Sequence, residues 1–142
     1  MTRAERAEFL YKNGGLNCAQ AVAVAYSDVL GLGEKEAAIM FGGFGGGFGG
    51  QHETCGAISA MTAVLSKIVN ADPDAEDSKK RIYSRIANAC KAFKSEHKTI
   101  NCRTLLVNAK KTEASAKPCG RYVKKACEII DSSMGKNAYP QE

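Results

Sequence analysis

Cysteine is the residue with the most chemical potential in this chain of 142 residues, and it occurs six times. The positions are Cys18, Cys55, Cys90, Cys102, Cys119 and Cys127. No two of them have C-x-x-C spacing, which argues against a zinc ribbon, a thioredoxin-type dithiol and covalent haem attachment. Cysteines in a cytoplasmic protein are more often redox-active or metal-binding than structural. The cysteines therefore indicate thiol or metal chemistry.

Four of these cysteines share a place in the predicted secondary structure. Each falls in the first turn of a predicted helix and on its apolar face: Cys18, Cys55, Cys102 and Cys119. Free backbone N–H groups at a helix start stabilise the thiolate, which is the form that ligates metals and attacks disulfides. We predict that these four form one active cluster. Cys90 and Cys127 fall within helices, where a cysteine typically acts as a small buried apolar residue.

The elements that must position these cysteines are helical in the sequence pattern. Apolar residues recur at three- and four-residue spacing, and no alternating strand pattern is present. We predict an all-α, compact single-domain bundle of about six helices with a Gly-rich loop. The domain spans residues 1–142, with a break at 70–74, a surface loop at 110–118 and a frayed tail at 133–142.

The Gly-rich loop, FGGFGGGFGG at residues 41–50, raises the question of a nucleotide site. Gly45, Gly47 and Gly50 satisfy G-x-G-x-x-G, but that motif also needs a preceding strand within a βαβ unit. No strand is predicted, so we do not predict nucleotide binding. A flexible linker is the alternative interpretation.

Three phenylalanines within the loop favour a packed segment over a linker. Glycine allows positive φ and lets backbone N–H groups approach an anion closely. The nearest candidate anion is the Cys55 thiolate, or a cluster bound to it. We therefore predict that the loop wraps the Cys55 side of the site. The predicted cofactor-binding glycines are Gly45, Gly46, Gly47 and Gly56.

His52 lies three residues before Cys55. If the helix already includes His52, both side chains share one face, and the imidazole would tune the thiol, act as a base or ligate a metal. The alternative is a residue near the helix start that faces solvent.

Charge and hydropathy exclude several classes of function. The net charge is +5, but no aromatic residues are interleaved with the basic ones, so we interpret the basic clusters as solvated helix faces and predict no nucleic-acid partner. The apolar runs are too short to span a bilayer, and the first residues lack a signal-peptide pattern. We predict a cytoplasmic protein without membrane insertion.

Several motifs together resemble the C_GCAxxG_C_C family of redox-active proteins, a family related to split-Soret cytochrome c. The matching segments are NCAQA at 17–21, TCGAISA at 54–60, Cys102-Arg103-x-Leu105-Leu106, and Cys119. The resemblance covers about residues 9–130. One departure is Ala60, which stands where the family motif has glycine.

The resemblance implies a redox role, as an oxidoreductase or electron-transfer protein, with an unknown redox partner. Two versions stay open. The four thiolates hold an iron–sulfur cluster or another soft metal, or they cycle between dithiols and disulfides. A metal-binding or interaction module without turnover is the alternative from another class. The cytochrome relatives imply a homodimer, whereas their haem-attachment motif is absent here.

Overall fold

The structure is a computed structural model, and it describes residues 1–134. Its nine α-helices in that range are α1 (Arg3–Asn13), α2 (Cys18–Ala25), α3 (Ser27–Leu30), α4 (Glu34–Met40), α5 (Gly45–Phe48), α6 (Gly56–Val69), α7 (Ser78–His97), α8 (Cys102–Thr112) and α9 (Gly120–Met134). The described residues contain no strand, only one isolated backbone bridge, so the all-α prediction is confirmed.

The predicted number of helices was too low for two reasons. The apolar residues of 17–30 follow one helical pattern, but the helix is interrupted at Tyr26, which separates α2 from α3. The Gly-rich loop also contains helical structure, a 3-10 turn at Gly42–Phe44 followed by the short α5. Within α5, Gly46 and Gly47 have positive φ, so this element is a tight turn and not a regular helix.

Asparagine caps fix where two helices begin. The Asn17 side chain accepts the Gln20 N–H at 2.9 Å, while the Gln20 side chain accepts the Asn17 N–H at 3.0 Å. Asn101 accepts the Thr104 N–H at 3.1 Å. Each cap satisfies N–H groups that the helix leaves unpaired, and each places a cysteine as the first helical residue.

The centre of the molecule is α2, which packs against α1, α4, α6 and α9. Its inward residues are alanines and valines, and most are fully buried: Ala19, Ala21, Val22, Ala23, Val24 and Ala25. Side chains this small allow several helices to approach one axis closely. The start of α2 is therefore enclosed by its neighbours.

Cys127 belongs to the core, as its mid-helix position predicted. It is fully buried in α9, and burial raises the pKa of its thiol. Its carbonyl oxygen lies 2.9 Å from the buried Tyr26 hydroxyl, which also lies 2.5 Å from Asp131 Oδ1. This contact joins α9 to the junction of α2 and α3.

The helix bounds differ from expectation in the second half of the chain. After the break, α7 begins at Ser78, and it buries only Ser78, Ala89 and Phe93 while Cys90 is half-buried. It packs mainly on α6 and α9, and much of its surface is exposed. The helix α8 continues to Thr112, into the predicted loop.

Two further features concern the chain end and the bilayer. The helix α9 includes residues 133 and 134 of the predicted tail, and 135–142 lie outside the described residues. None of the helices in the described part is both long and apolar enough to cross a membrane.

Candidate functional site: four cysteines at helix starts

The four predicted site cysteines all stand at helix starts. Cys18 and Cys102 are the first residues of α2 and α8, while Cys55 and Cys119 immediately precede α6 and α9. All are free thiols. Cys55 is buried, and the other three are partly exposed. Their placement agrees with the first-turn prediction to within one residue.

Two of these helix starts are joined by a pair of backbone hydrogen bonds. The N–H of Cys55 donates to the carbonyl oxygen of Ile100 at 2.8 Å, and the N–H of Cys102 donates to that of Glu53 at 2.5 Å. The two segments run antiparallel here. The starts of α6 and α8 are therefore held side by side.

Cys18 is the one thiol of the four whose pKa is lowered, to about 6. The main cause is a hydrogen bond that the Cys55 thiol donates to the Cys18 sulfur. Backbone N–H groups of Gly46, Ala19 and Ala57 also donate to this sulfur, and together these donors outweigh the opposing effect of burial. Because each donor stabilises negative charge, these interactions favour the thiolate form of Cys18.

The pKa of Cys55 is shifted in the opposite direction. Its hydrogen bond to Cys18 keeps the proton on its own sulfur, and burial and the Cys18 charge act in the same direction, so its pKa is raised well above the ordinary value. Its side chain is only 4% exposed. The interaction of the pair thus favours the negative charge on Cys18 and the proton on Cys55.

Glycines bring backbone into contact with the site sulfurs. A Cβ on Gly56 would lie 2.7 Å from the Cys18 sulfur and 2.7 Å from the Phe44 carbonyl oxygen. A Cβ on Gly47 would lie 2.7 Å from the Cys102 Cβ. Either position would have no room for a larger residue. The loop, predicted to wrap Cys55, thus approaches Cys18 and Cys102.

The remaining loop residues have different surroundings. Gly46 donates its N–H to Cys18, and Gly45 packs against the Asn17 side chain, where a Cβ would clash. Of the three aromatic rings, that of Phe41 is buried, whereas Phe48 is 43% exposed. Neighbouring rings are 5.5 Å and 5.9 Å apart between centroids. The prediction of a packed loop therefore holds for its first two phenylalanines.

His52 contacts Cys102. Its Nδ1 lies 3.6 Å from the Cys102 sulfur. The condition for sharing a helix face with Cys55 is not met, because α6 begins only at Gly56 and His52 has φ +61°. That left-handed backbone is incompatible with a right-handed helix and turns the ring away toward α8.

The negative charge of Cys18 affects the pKa values of both Cys102 and Cys119. Burial, and then that charge, raises the pKa of both thiols, for Cys119 to about 11. Tyr11 adjoins Cys119, and its hydroxyl oxygen accepts the Cys119 N–H at 3.2 Å. The sequence indicated Tyr11 only as part of α1, with no signal of a role at the site. The structure therefore brings all four cysteines into one region.

The arrangement differs from a set of metal ligands. Among residues 1–134, no three His, Cys, Asp or Glu side chains are placed to ligate one metal ion. Ala60, at the motif glycine position, is fully buried in α6. The geometry instead offers a thiolate–thiol pair with two further thiols beside it.

The low pKa of Cys18 predicts the pH dependence of its reactivity. A thiolate is alkylated and a thiol is not, so the Cys18 rate will rise through about pH 6 and level off above it. Cys55→Ala removes the main donor and will move the midpoint upward. Cys55→Ser keeps a donor and will leave it low. Site-resolved alkylation by mass spectrometry measures both midpoints, and equal midpoints in the two variants would contradict the assigned role of Cys55.

Comparison with known protein families identifies the family of the chain. No curated protein and no solved structure matches the chain. A family model described as "Putative redox-active protein (C_GCAxxG_C_C)" matches residues 16–133, a span that contains all four site cysteines. The relation to split-Soret cytochromes stays a prediction. The chain therefore belongs to the C_GCAxxG_C_C family of redox-active proteins.

Proposed function

We propose that the protein is a thiol/disulfide oxidoreductase in which Cys18 attacks and Cys55 resolves. The observation that carries this proposal is the approach of the Cys18 sulfur to Gly56, the residue after Cys55, together with an interaction between the two thiols that lowers the pKa of Cys18 and raises that of Cys55. An attacking thiol needs to be a thiolate near ambient pH, and its partner must be within reach of the same sulfur.

The reaction begins with the Cys18 thiolate and an external disulfide. The thiolate attacks one sulfur of that disulfide, its S–S bond breaks, and the departing thiolate takes a proton from water. Cys18 is now in a mixed disulfide. The N–H groups of Gly46, Ala19 and Ala57 hold the Cys18 sulfur during this step.

Resolution uses the proton-bearing Cys55. Formation of the mixed disulfide removes the negative charge that helps to keep its proton in place, so Cys55 ionises more readily. Its sulfur then attacks Cys18, a Cys18–Cys55 disulfide forms, and the second external thiol leaves with the released proton. Two electrons have passed from the protein to the external disulfide.

A thiol count tests the proposal. Mild oxidation of the reduced protein will remove two of the six thiols, and digestion will yield one peptide pair joined through Cys18 and Cys55. The Cys18 sulfur lies against Gly56, the residue after Cys55, and the two thiols interact, so we expect the disulfide to form between them. Free-thiol titration and mass spectrometry measure both quantities.

Matched serine variants separate this pair from the other thiols. Cys55→Ser will abolish the loss of two thiols, whereas Cys90→Ser will retain it, because Cys90 lies mid-helix in α7. A count that stays constant on oxidation, or a linkage that excludes Cys18, would refute the proposal.

The metal version of the function rests on a different observation. The Cys18 charge acts on Cys102 and Cys119, so three sulfurs lie in one neighbourhood besides the buried Cys55. Rotation of these side chains would be needed to close them around a soft metal ion or cluster. Visible absorption and metal analysis of anaerobically purified protein distinguish the versions, since a bound iron–sulfur cluster would favour the electron-transfer version.

A further inference from the structure

We propose that His52 and Cys102 form a second reactive centre, in which His52 is the catalytic base that activates Cys102 toward an external disulfide. This inference rests on the proposed thiol/disulfide function and assigns a role to a thiol that the Cys18–Cys55 cycle does not use. Its basis is the 3.6 Å contact between the Cys102 sulfur and Nδ1 of His52.

The backbone holds His52 in this position at a conformational cost. A φ of +61° is uncommon for any residue other than glycine, and residues in such conformations cluster at functional sites. The N–H of His52 donates to the carbonyl oxygen of Gly46 at 2.9 Å, and that of Glu53 donates to Gly47 at 3.1 Å. These bonds fix the imidazole over Cys102.

Cys102 is fixed from its own side as well. Its N–H donates to the Glu53 carbonyl oxygen, and Asn101 caps the helix that it begins. Gly47 lies against its Cβ, where no side chain would fit. The same three-residue segment, 52–54, thus carries the imidazole and anchors the thiol that it contacts.

The two reactive sulfurs depend on different means of activation. Cys18 has backbone N–H donors and the Cys55 thiol, whereas burial and the Cys18 charge disfavour ionisation of Cys102. A thiol of this kind needs a proton acceptor at the moment of attack. Cys102 is also the less deeply buried of the two, so an external disulfide can reach it.

In the proposed step, the Cys102 thiol transfers its proton to Nδ1 of His52, and the sulfur attacks one sulfur of an external disulfide. The S–S bond of that disulfide breaks, a mixed disulfide with Cys102 forms, and the leaving thiolate carries away the electron pair. The leaving thiolate then takes the proton from His52.

Replacement of the imidazole tests this assignment. His52→Asn and His52→Gly both suit a left-handed backbone but remove the base. In the reduced protein at neutral pH, we expect the Cys102 reaction with 5,5′-dithiobis(2-nitrobenzoate) to slow at least about 10-fold in both, since a positioned base typically contributes about 10²–10⁴-fold. The Cys18 rate in the same samples will stay unchanged.

Chemical rescue separates a base from a structural residue. Free imidazole will restore the Cys102 rate in His52→Gly but will not affect His52→Asn, whose side chain fills part of the space. A Cys102 rate that is unchanged in both variants, or a slowed rate that imidazole leaves slow in His52→Gly, would overturn the assignment. The Cys18–Cys55 linkage on oxidation reports on the proposed function separately, because neither variant alters that pair.

Discussion

Gly56→Ala will lose most of the Cys18 reactivity at neutral pH and will lower the free energy of unfolding by about 1–3 kcal/mol, the usual cost of overpacking a filled site. The added Cβ would lie 2.7 Å from the Cys18 sulfur and from the Phe44 carbonyl oxygen. Neither neighbour is the flexible end of a long side chain. The sulfur must therefore move away from the N–H groups that stabilise its charge.

The loss of stability and the change in Cys18 reactivity in Gly56→Ala are measured separately. Urea unfolding gives the change in stability, and site-resolved alkylation gives the pH midpoint of Cys18, which will rise above its present value of about 6. Gly43→Ala is the matched control, because a Cβ there has nothing within 4 Å. We expect this control to change stability by less than about 0.5 kcal/mol. Similar results for the two variants would show that the Gly56 contact does not tune Cys18.

Gly47→Ala will have the second large effect, at the centre formed by His52 and Cys102. Gly47 has φ +67°, and its Cβ would lie 2.6 Å from the Glu53 nitrogen and 2.7 Å from the Cys102 Cβ. Left-handed backbone costs a residue with a Cβ about 1–2 kcal/mol. The overlap adds about 1–3 kcal/mol. The free energy of unfolding and the Cys102 rate will both fall.

Gly50→Ala separates the effect of a strained backbone from the effect of the Gly47 contact with Cys102. Gly50 belongs to the same loop and has φ +81°, but a Cβ there meets open space. It will show the strain alone, with little change in the Cys102 rate. Unfolding curves and Cys102 labelling of the two variants give the difference. If Gly50→Ala lowered the Cys102 rate as much as Gly47→Ala, loop strain and not the contact would be the cause.

Local sequence signals were sufficient to predict where α2 and α8 begin. Asn17 and Asn101 each cap a helix through a hydrogen bond to a residue three positions later, so the signal and the structure lie within one turn of chain. That placed Cys18 and Cys102 correctly. The same reasoning predicted Cys127 as core, since a cysteine in the middle of an amphipathic helix is enclosed by its own apolar face.

Local sequence signals did not predict the contacts between segments that are distant in the sequence. The hydrogen bond from Cys55 to Cys18 depends on how α6 packs against α2, and that packing is set by the small side chains of α2. The pairing of His52 with Cys102 depends on a single left-handed residue. Histidine gives no sequence signal for that conformation, so the sequence did not indicate that the ring lies beside Cys102.

The paired backbone between Cys55 and Cys102 also bears on where the chain tolerates changes in length. The chain leaves this pairing after Cys55 and returns to it at Ile100, so the excursion between them begins and ends at the same place. Lengthening a closed excursion adds little entropy cost, and residues 70–77 within it are mostly exposed. Insertions between α6 and α7 would therefore leave the spacing of the two sulfur-bearing helix starts intact. This segment is the natural place to attach a reporter or an added domain without altering the thiol chemistry.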